Sequence, residues 1–156
     1  MQSAIEEETL ARARQGAEWA WAALYRQLAP SVAGYLRSQG AAEPEDLTGE
    51  VFLQVVKAID RFHGDGTRFR SWVFSIAHNK LIDDRRRRGR RPAEPVWGHE
   101  EKSFVPGNAE DEALSNLVNG RIKQLIDGLT PDQREVLLLR IMGGLTLAEV
   151  ARVVGK

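Results

Sequence analysis

The chain reads as all-α, in two small helical pieces joined by a flexible linker. Three observations predict this. Apolar residues recur at spacings of three and four over most of the length, the signature of one buried helix face. No alternating pattern of the kind a half-buried strand needs persists anywhere. Between the helical pieces, residues 92–112 hold three prolines (Pro92, Pro95, Pro106) and little periodicity. The resulting division is 1–92, a linker over 93–112, and 113–156.

The first helical pattern covers residues 9–38, through Leu10, Ala13, Ala17, Ala20, Leu24 and Leu28. Pro30 should end or bend it, because proline lacks the amide proton and crowds the preceding turn. The pattern restarts from Val32 to Gln39 and turns at Gly40. Pro44 then suits an early helical position, with Glu45 and Asp46 favourable near the positive helix end. After it, Val51, Val55 and Ile59 form one apolar row and Phe52 with Val56 the next, to about Asp60. Two glycines and an aspartate within Phe62 to Thr67 are loop chemistry.

From about Arg68 a helix changes character along its length. Its first half is apolar on more than one face (Phe69, Trp72, Val73, Phe74, Ile76, Ala77, Leu81, Ile82), and its second half is almost all arginine. Trp72, Phe69 and Ile76 at helical spacing fit core packing better than base-stacking platforms. Leu114, Leu117, Val118, Ile122, Leu125 and Ile126 mark a further helix ending near Gly128. Thr130-Pro131-Asp132-Gln133 is a capping box with proline at the first helical position, opening a helix that stops at Gly143-Gly144. Thr146-Leu147-Ala148-Glu149 is a second capping box, before a short helix that Gly155 ends.

Charge narrows the function. Lys plus Arg number 22 and Asp plus Glu 22, so the 156-residue chain is formally neutral. Residues 1–60 carry 5 basic and 9 acidic groups, residues 61–92 carry 10 and 3, and residues 93–156 carry 7 and 10. A positive island between acidic segments suggests one surface for a polyanion and others for something else. The absence of cysteine excludes a disulfide framework, a thiolate metal site and a cysteine nucleophile. His63, His78 and His99 are too widely spaced to suggest a metal centre, and no nucleotide-binding or nucleophile motif is present. Asp83 and Asp84, adjacent on a helix, diverge too far to act as a catalytic pair; Asp83 is better placed to orient an arginine of its own helix. No catalytic site, cofactor or metal is expected. No apolar run approaches the roughly 18 residues that span a bilayer, and the acidic start is the opposite of a secretory leader, which reads as cytoplasmic without membrane insertion.

Three stretches resemble, in order, the group IV (extracytoplasmic-function, ECF) sigma factors of the sigma-70 family of bacterial RNA polymerase. They are Glu45-Asp46-Leu47-Thr48-Gly49-Glu50-Val51-Phe52; Phe69-Arg70-Ser71-Trp72-Val73-Phe74-Ser75-Ile76-Ala77-His78-Asn79 with Asp83 and the arginine run; and Leu129 to Val136 with Gly144 to Ala151. The resemblance implies a region 2 bundle over 1–92 and a partial region 4 helix-turn-helix over 113–156. It implies a promoter-specificity subunit that is not itself an enzyme. Asp46, Leu47, Glu50 and Phe52 would dock on the coiled coil of the largest subunit of core RNA polymerase, with Phe52 packed beneath; Gly49 stands where the family usually has glutamine. The loop with Phe62, His63, Gly64 and Asp65, followed by Arg68, would cup a base flipped from the non-template strand of the minus-ten element. Asn79 would read a base edge, since a side-chain amide both donates and accepts. Lys80, Arg85, Arg86, Arg87 and Arg88 would hold the promoter DNA backbone. An anti-sigma protein is a further implied partner, and Trp97 and Phe104 fall in the linker. The chain stops in the turn of the helix-turn-helix, so the recognition helix of the resembled domain lies outside it. Two other readings are a stand-alone DNA-binding regulator, which needs a complete helix-turn-helix, and a sigma-like protein-interaction module, which would not melt promoter DNA.

Overall fold

A computed structural model describes residues 4–89, 120–121, 124–125 and 127–155. The linker over 93–112, with Trp97 and Phe104, and most of the helical pattern over 114–126 lie outside the described residues. Among the described residues every regular element is helical: α1 (Glu7–Arg14), α2 (Glu18–Ser38), α3 (Pro44–Ala58), a 3-10 turn (Ile59–Arg61), α4 (Gly66–Arg87), α5 (Pro131–Ile141) and α6 (Leu147–Val154).

The long pattern over 9–38 is two helices rather than one. Gly16 at φ +91° places its amide on Ala13 O at 2.9 Å, and Ala17 N reaches Arg12 O at 3.0 Å. This paired closure terminates α1, because only glycine enters the left-handed region without a Cβ penalty. Gly40, at φ +86°, ends α2 in the same way, with Gly40 N on Arg37 O and Ala41 N on Leu36 O, each at 3.0 Å. Pro30, by contrast, sits inside α2 and does not end it. It is exposed, as is Arg26 one turn earlier, so the carbonyl that loses its amide partner can turn to water. Burial of Leu28, Ala29 and Val32 on the opposite side keeps the helix continuous.

The apolar rows meet in one core. Leu24, Leu28, Val32, Tyr35 and Leu36 of α2 pack with Val51 and Val55 of α3 and with Phe69, Val73, Phe74, Ala77 and Leu81 of α4, all fully buried. Val56 stands out from the second α3 row and is exposed. The same core continues into the other half of the chain, where Leu138 and Leu139 of α5, Leu145, and Val150 and Val153 of α6 are buried. Helix α6 lies along α4, and α5 reaches α2. Both capping boxes form, Thr130 with Gln133 and Thr146 with Glu149, each pairing side chain and backbone reciprocally.

Gly49 is exposed in the interior of α3, and a Cβ built there would meet nothing within 4 Å. Gly49→Ala should therefore raise the unfolding free energy by about 0.5–1 kcal/mol, the helix-propensity difference. A urea midpoint that stays put or falls would mean that α3 is held differently.

Candidate nucleic-acid interface

On α3, Asp46 and Glu50 are exposed one helical turn apart. Leu47 and Phe52, expected among the docking residues, are 4% and 7% exposed. Phe52 meets Tyr25 edge-on at 4.9 Å between ring centres. Both face inward because they share the α3 stripe with Val51 and Val55. Leu53 and Val56, which the sequence pattern did not single out for contact, accompany the acids on the surface.

The loop between the 3-10 turn and α4 is built from both sides. Phe62 is buried, with its ring 4.9 Å from Trp72 and 5.6 Å from Phe69 between centres. It is thus the floor of the loop rather than its tip, and Trp72 is half-buried beside it. Asp65 caps α4 by accepting the Arg68 amide at 3.0 Å. His63, Gly64, Asp65 and Arg68 are exposed. Gly64 has φ +153°, and a Cβ there would come within 2.8 Å of the Arg68 side chain. Arg61, Phe62, His63, Arg68, Ser71, Trp72, Ser75 and, from α6, Arg152 line a groove of about 290 Å³ beside the loop.

Asn79 is exposed further along α4, with Lys80 partly so. The arginine run divides in two. Arg85 donates to Gln39 O at 3.0 Å and Arg88 to Gly40 O at 3.4 Å, so both hold carbonyls at the C-terminal end of α2, where a cation also suits the helix dipole. Arg86 and Arg87 point to solvent, with only long ion pairs to Asp83 (3.9 Å) and Asp84 (3.8 Å). Such exposed pairs are worth at most about 1 kcal/mol and leave the guanidinium groups available. Sequence position alone did not separate these two pairs, because the separation depends on where α2 ends in space.

Sequence reasoning also missed the seam between the halves. Glu135 of α5 is buried and accepts hydrogen bonds from the Tyr35 hydroxyl and from Gln39 Nε2, with His78 Nδ1 at 3.1 Å. Burial pushes the Tyr35 hydroxyl well above its ordinary value, and the neighbouring Glu135 charge and hydrogen bond add to the rise. Arg70 of α4 is buried against the turn after α5, with Gly143 O at 3.5 Å; burial lowers its pKa, and the charge of Glu149 opposes that shift. No local signal announces these partners, which lie up to 100 residues apart. On the far side of the second half, Leu129, Val136, Leu137, Ile141, Leu145 and Leu147 line an apolar groove of about 900 Å³. No described helix is long and apolar enough to cross a membrane, and the described residues form no cluster of metal-ligating side chains.

Comparison with known proteins finds a match in each half of the chain. Residues 24–91 match the family model for Sigma-70 region 2, and residues 119–156 match that for Sigma-70, region 4. The ECF RNA polymerase sigma factor BldN of Streptomyces coelicolor is 36% identical over 152 residues, covering 96% of this chain and 57% of BldN. The RNA polymerase sigma factor NccH of Alcaligenes xylosoxydans xylosoxydans is 31% identical over 157 residues, covering 97% of this chain and 83% of NccH. Among solved structures, CnrH in complex with the cytosolic domain of CnrY superposes with a TM-score of 0.65 at 25% identity, over 97% of this chain and 83% of CnrH. The chain thus spans little more than half of BldN, while matching both sigma regions in order. With both regions matched, NccH aligned over most of its length and the ECF sigma factor BldN similar over nearly all of this chain, the chain belongs to the ECF sigma factors of the sigma-70 family.

Proposed function

We propose that this chain acts as an alternative sigma factor, binding core RNA polymerase and directing initiation through recognition and melting of the minus-ten element. The observation that carries the reading is the pairing of two exposed sets on packed helices: Asp46 and Glu50 on α3, and Asn79, Arg86 and Arg87 on α4. The acids of α3, with Leu53 and Val56 beside them, suit a basic helical partner such as the coiled coil of the largest polymerase subunit. Arg86 and Arg87 suit phosphate, and Asn79 suits a base edge. The loop from Phe62 to Arg68 supplies a rigid aromatic floor and a cationic rim for a base drawn out of the stack. Unstacking costs a few kcal/mol, which contacts in the loop must offset. Arg85 and Arg88 contribute by holding α2 and α4 together, and their positive charge adds to the field of the same helix end.

Binding to fork-junction DNA with a single-stranded minus-ten segment, with and without core polymerase and at two salt concentrations, tests this reading. Asn79→Ala should cost about 1–3 kcal/mol of discrimination at one promoter position. Arg86→Ala should weaken binding across sequences and flatten the salt dependence by roughly one charge. Equal losses on every sequence from both substitutions would refute the assigned roles, and tight selective binding without core would favour a stand-alone regulator.

A protein partner on the second half belongs to the same proposal. The apolar groove between α5 and α6, with Ile141 and Leu147 exposed along it, suits an amphipathic helix of an anti-sigma protein. The likeness to CnrH, solved with the cytosolic domain of CnrY, supports this partner class.

A further inference from the structure

Helix α1 lies outside both matched regions, which begin at residue 24, yet it holds the loop at three backbone points. Arg14 Nη1 donates to Phe62 O at 2.8 Å, and Nη2 donates to Gly64 O at 3.4 Å. The same guanidinium stands over the Phe62 ring, 5.1 Å from its centre. At the other end of α1, Glu7 Oε2 accepts the Gly66 amide at 2.7 Å, in the first turn of α4 where a negative charge meets the positive helix end. Gly66 leaves no room for a side chain, since a Cβ would lie 2.7 Å from Ile5 O. Glu7 and Arg14 are seven residues apart, roughly 10 Å along a helix at 1.5 Å per residue, and so reach both ends of the five-residue span from Phe62 to Gly66.

We infer that Arg14 and Glu7 are positioning residues that fix the loop in the shape it presents to an unpaired base, an inference that rests on the function proposed above. The chemistry fits the task. A planar guanidinium can fork between two carbonyls while lying on an aromatic face, and a lysine cannot do both. Carbonyl groups held from behind leave His63 and Arg68 on the groove they share with Ser71 and Arg152. A loop already ordered before binding loses less conformational freedom when the base arrives, so its affinity and selectivity rise together.

Amide hydrogen exchange of the whole chain reads the brace without DNA, and fork-junction binding with core polymerase reads its consequence. In Arg14→Ala, exchange at Gly66 and Arg68 should quicken at least about tenfold, and affinity for the single-stranded segment should fall about tenfold. Affinity for core polymerase alone should stay unchanged. Arg14→Lys should restore only part of the loss, and Glu7→Gln, which keeps an acceptor for the Gly66 amide, should exchange more slowly than Glu7→Ala. Thermal melting of each variant separates loop loosening from global unfolding. Unchanged loop exchange in Arg14→Ala overturns the inference, as does faster exchange with undiminished DNA selectivity. If the unaltered chain shows no selective binding with core, the proposed function fails instead, and the exchange data then decide whether α1 braces the loop.

Discussion

Phe74→Ala is expected to destabilise the protein by about 3–5 kcal/mol, the cost of emptying a fully buried aromatic site. Phe74 has no exposed surface, meets the Tyr35 ring edge-on at 5.8 Å, and faces the turn at Gly143, where an added Cβ would lie 3.5 Å from the ring. It therefore fills space between α2, α4 and the turn after α5. Chemical denaturation with urea measures the loss directly, and Phe74→Leu should recover most of it because the volume change is smaller. A loss below about 1 kcal/mol for the alanine variant would show that the site collapses, and that the halves do not share one core.

Glu135→Ala should be nearly as damaging, at about 2–4 kcal/mol, for a different reason. It removes an acceptor, strands the Gln39 amide in a buried seam and leaves the Tyr35 hydroxyl only the longer contact to His78 Nδ1 at 3.3 Å. A buried donor without a partner costs more than the hydrogen bond itself contributed, since water cannot replace what was lost. Glu135→Gln keeps one acceptor but turns a new donor toward donors, so an intermediate loss is expected. Combining Glu135→Ala with Tyr35→Phe should cost less than the sum of the two changes, because each removes the same bond. Strict additivity in that cycle would mean the two side chains do not meet in solution.

Helix ends are largely legible in the sequence. Thr130 to Gln133 and Thr146 to Glu149 form the reciprocal caps that their spacing predicts, and Pro44 opens α3 as expected. Asp46 and Glu50 emerge on the surface of that helix, in the positions its apolar rows require. The differences have identifiable causes. Apolar periodicity runs straight through Gly16, whereas the positive φ of that residue closes α1. Pro30 carries the chemistry of a helix stop, whereas packing of the opposite face overrides a single missing amide at a solvent-facing position. Leu47 carries the resemblance to the family but lies on the buried stripe, beside Phe52, which packs beneath the exposed acids as expected.

The all-helical class, the caps, the charge separation and the family can all be read from the chain alone, because each rests on contacts within about four residues or on motif order. Packing in three dimensions settles the rest: which arginines face solvent, what Arg14 and Glu7 hold, and that Glu135 joins the two halves. Arg85 and Arg88 look identical to Arg86 and Arg87 along the chain. They differ because successive helical positions point about 100° apart, and one pair happens to face the carbonyl end of α2. Partners 46 to 100 residues apart are set by how helices pack. Packing angles follow from the whole set of interlocking side chains, and no local window contains them.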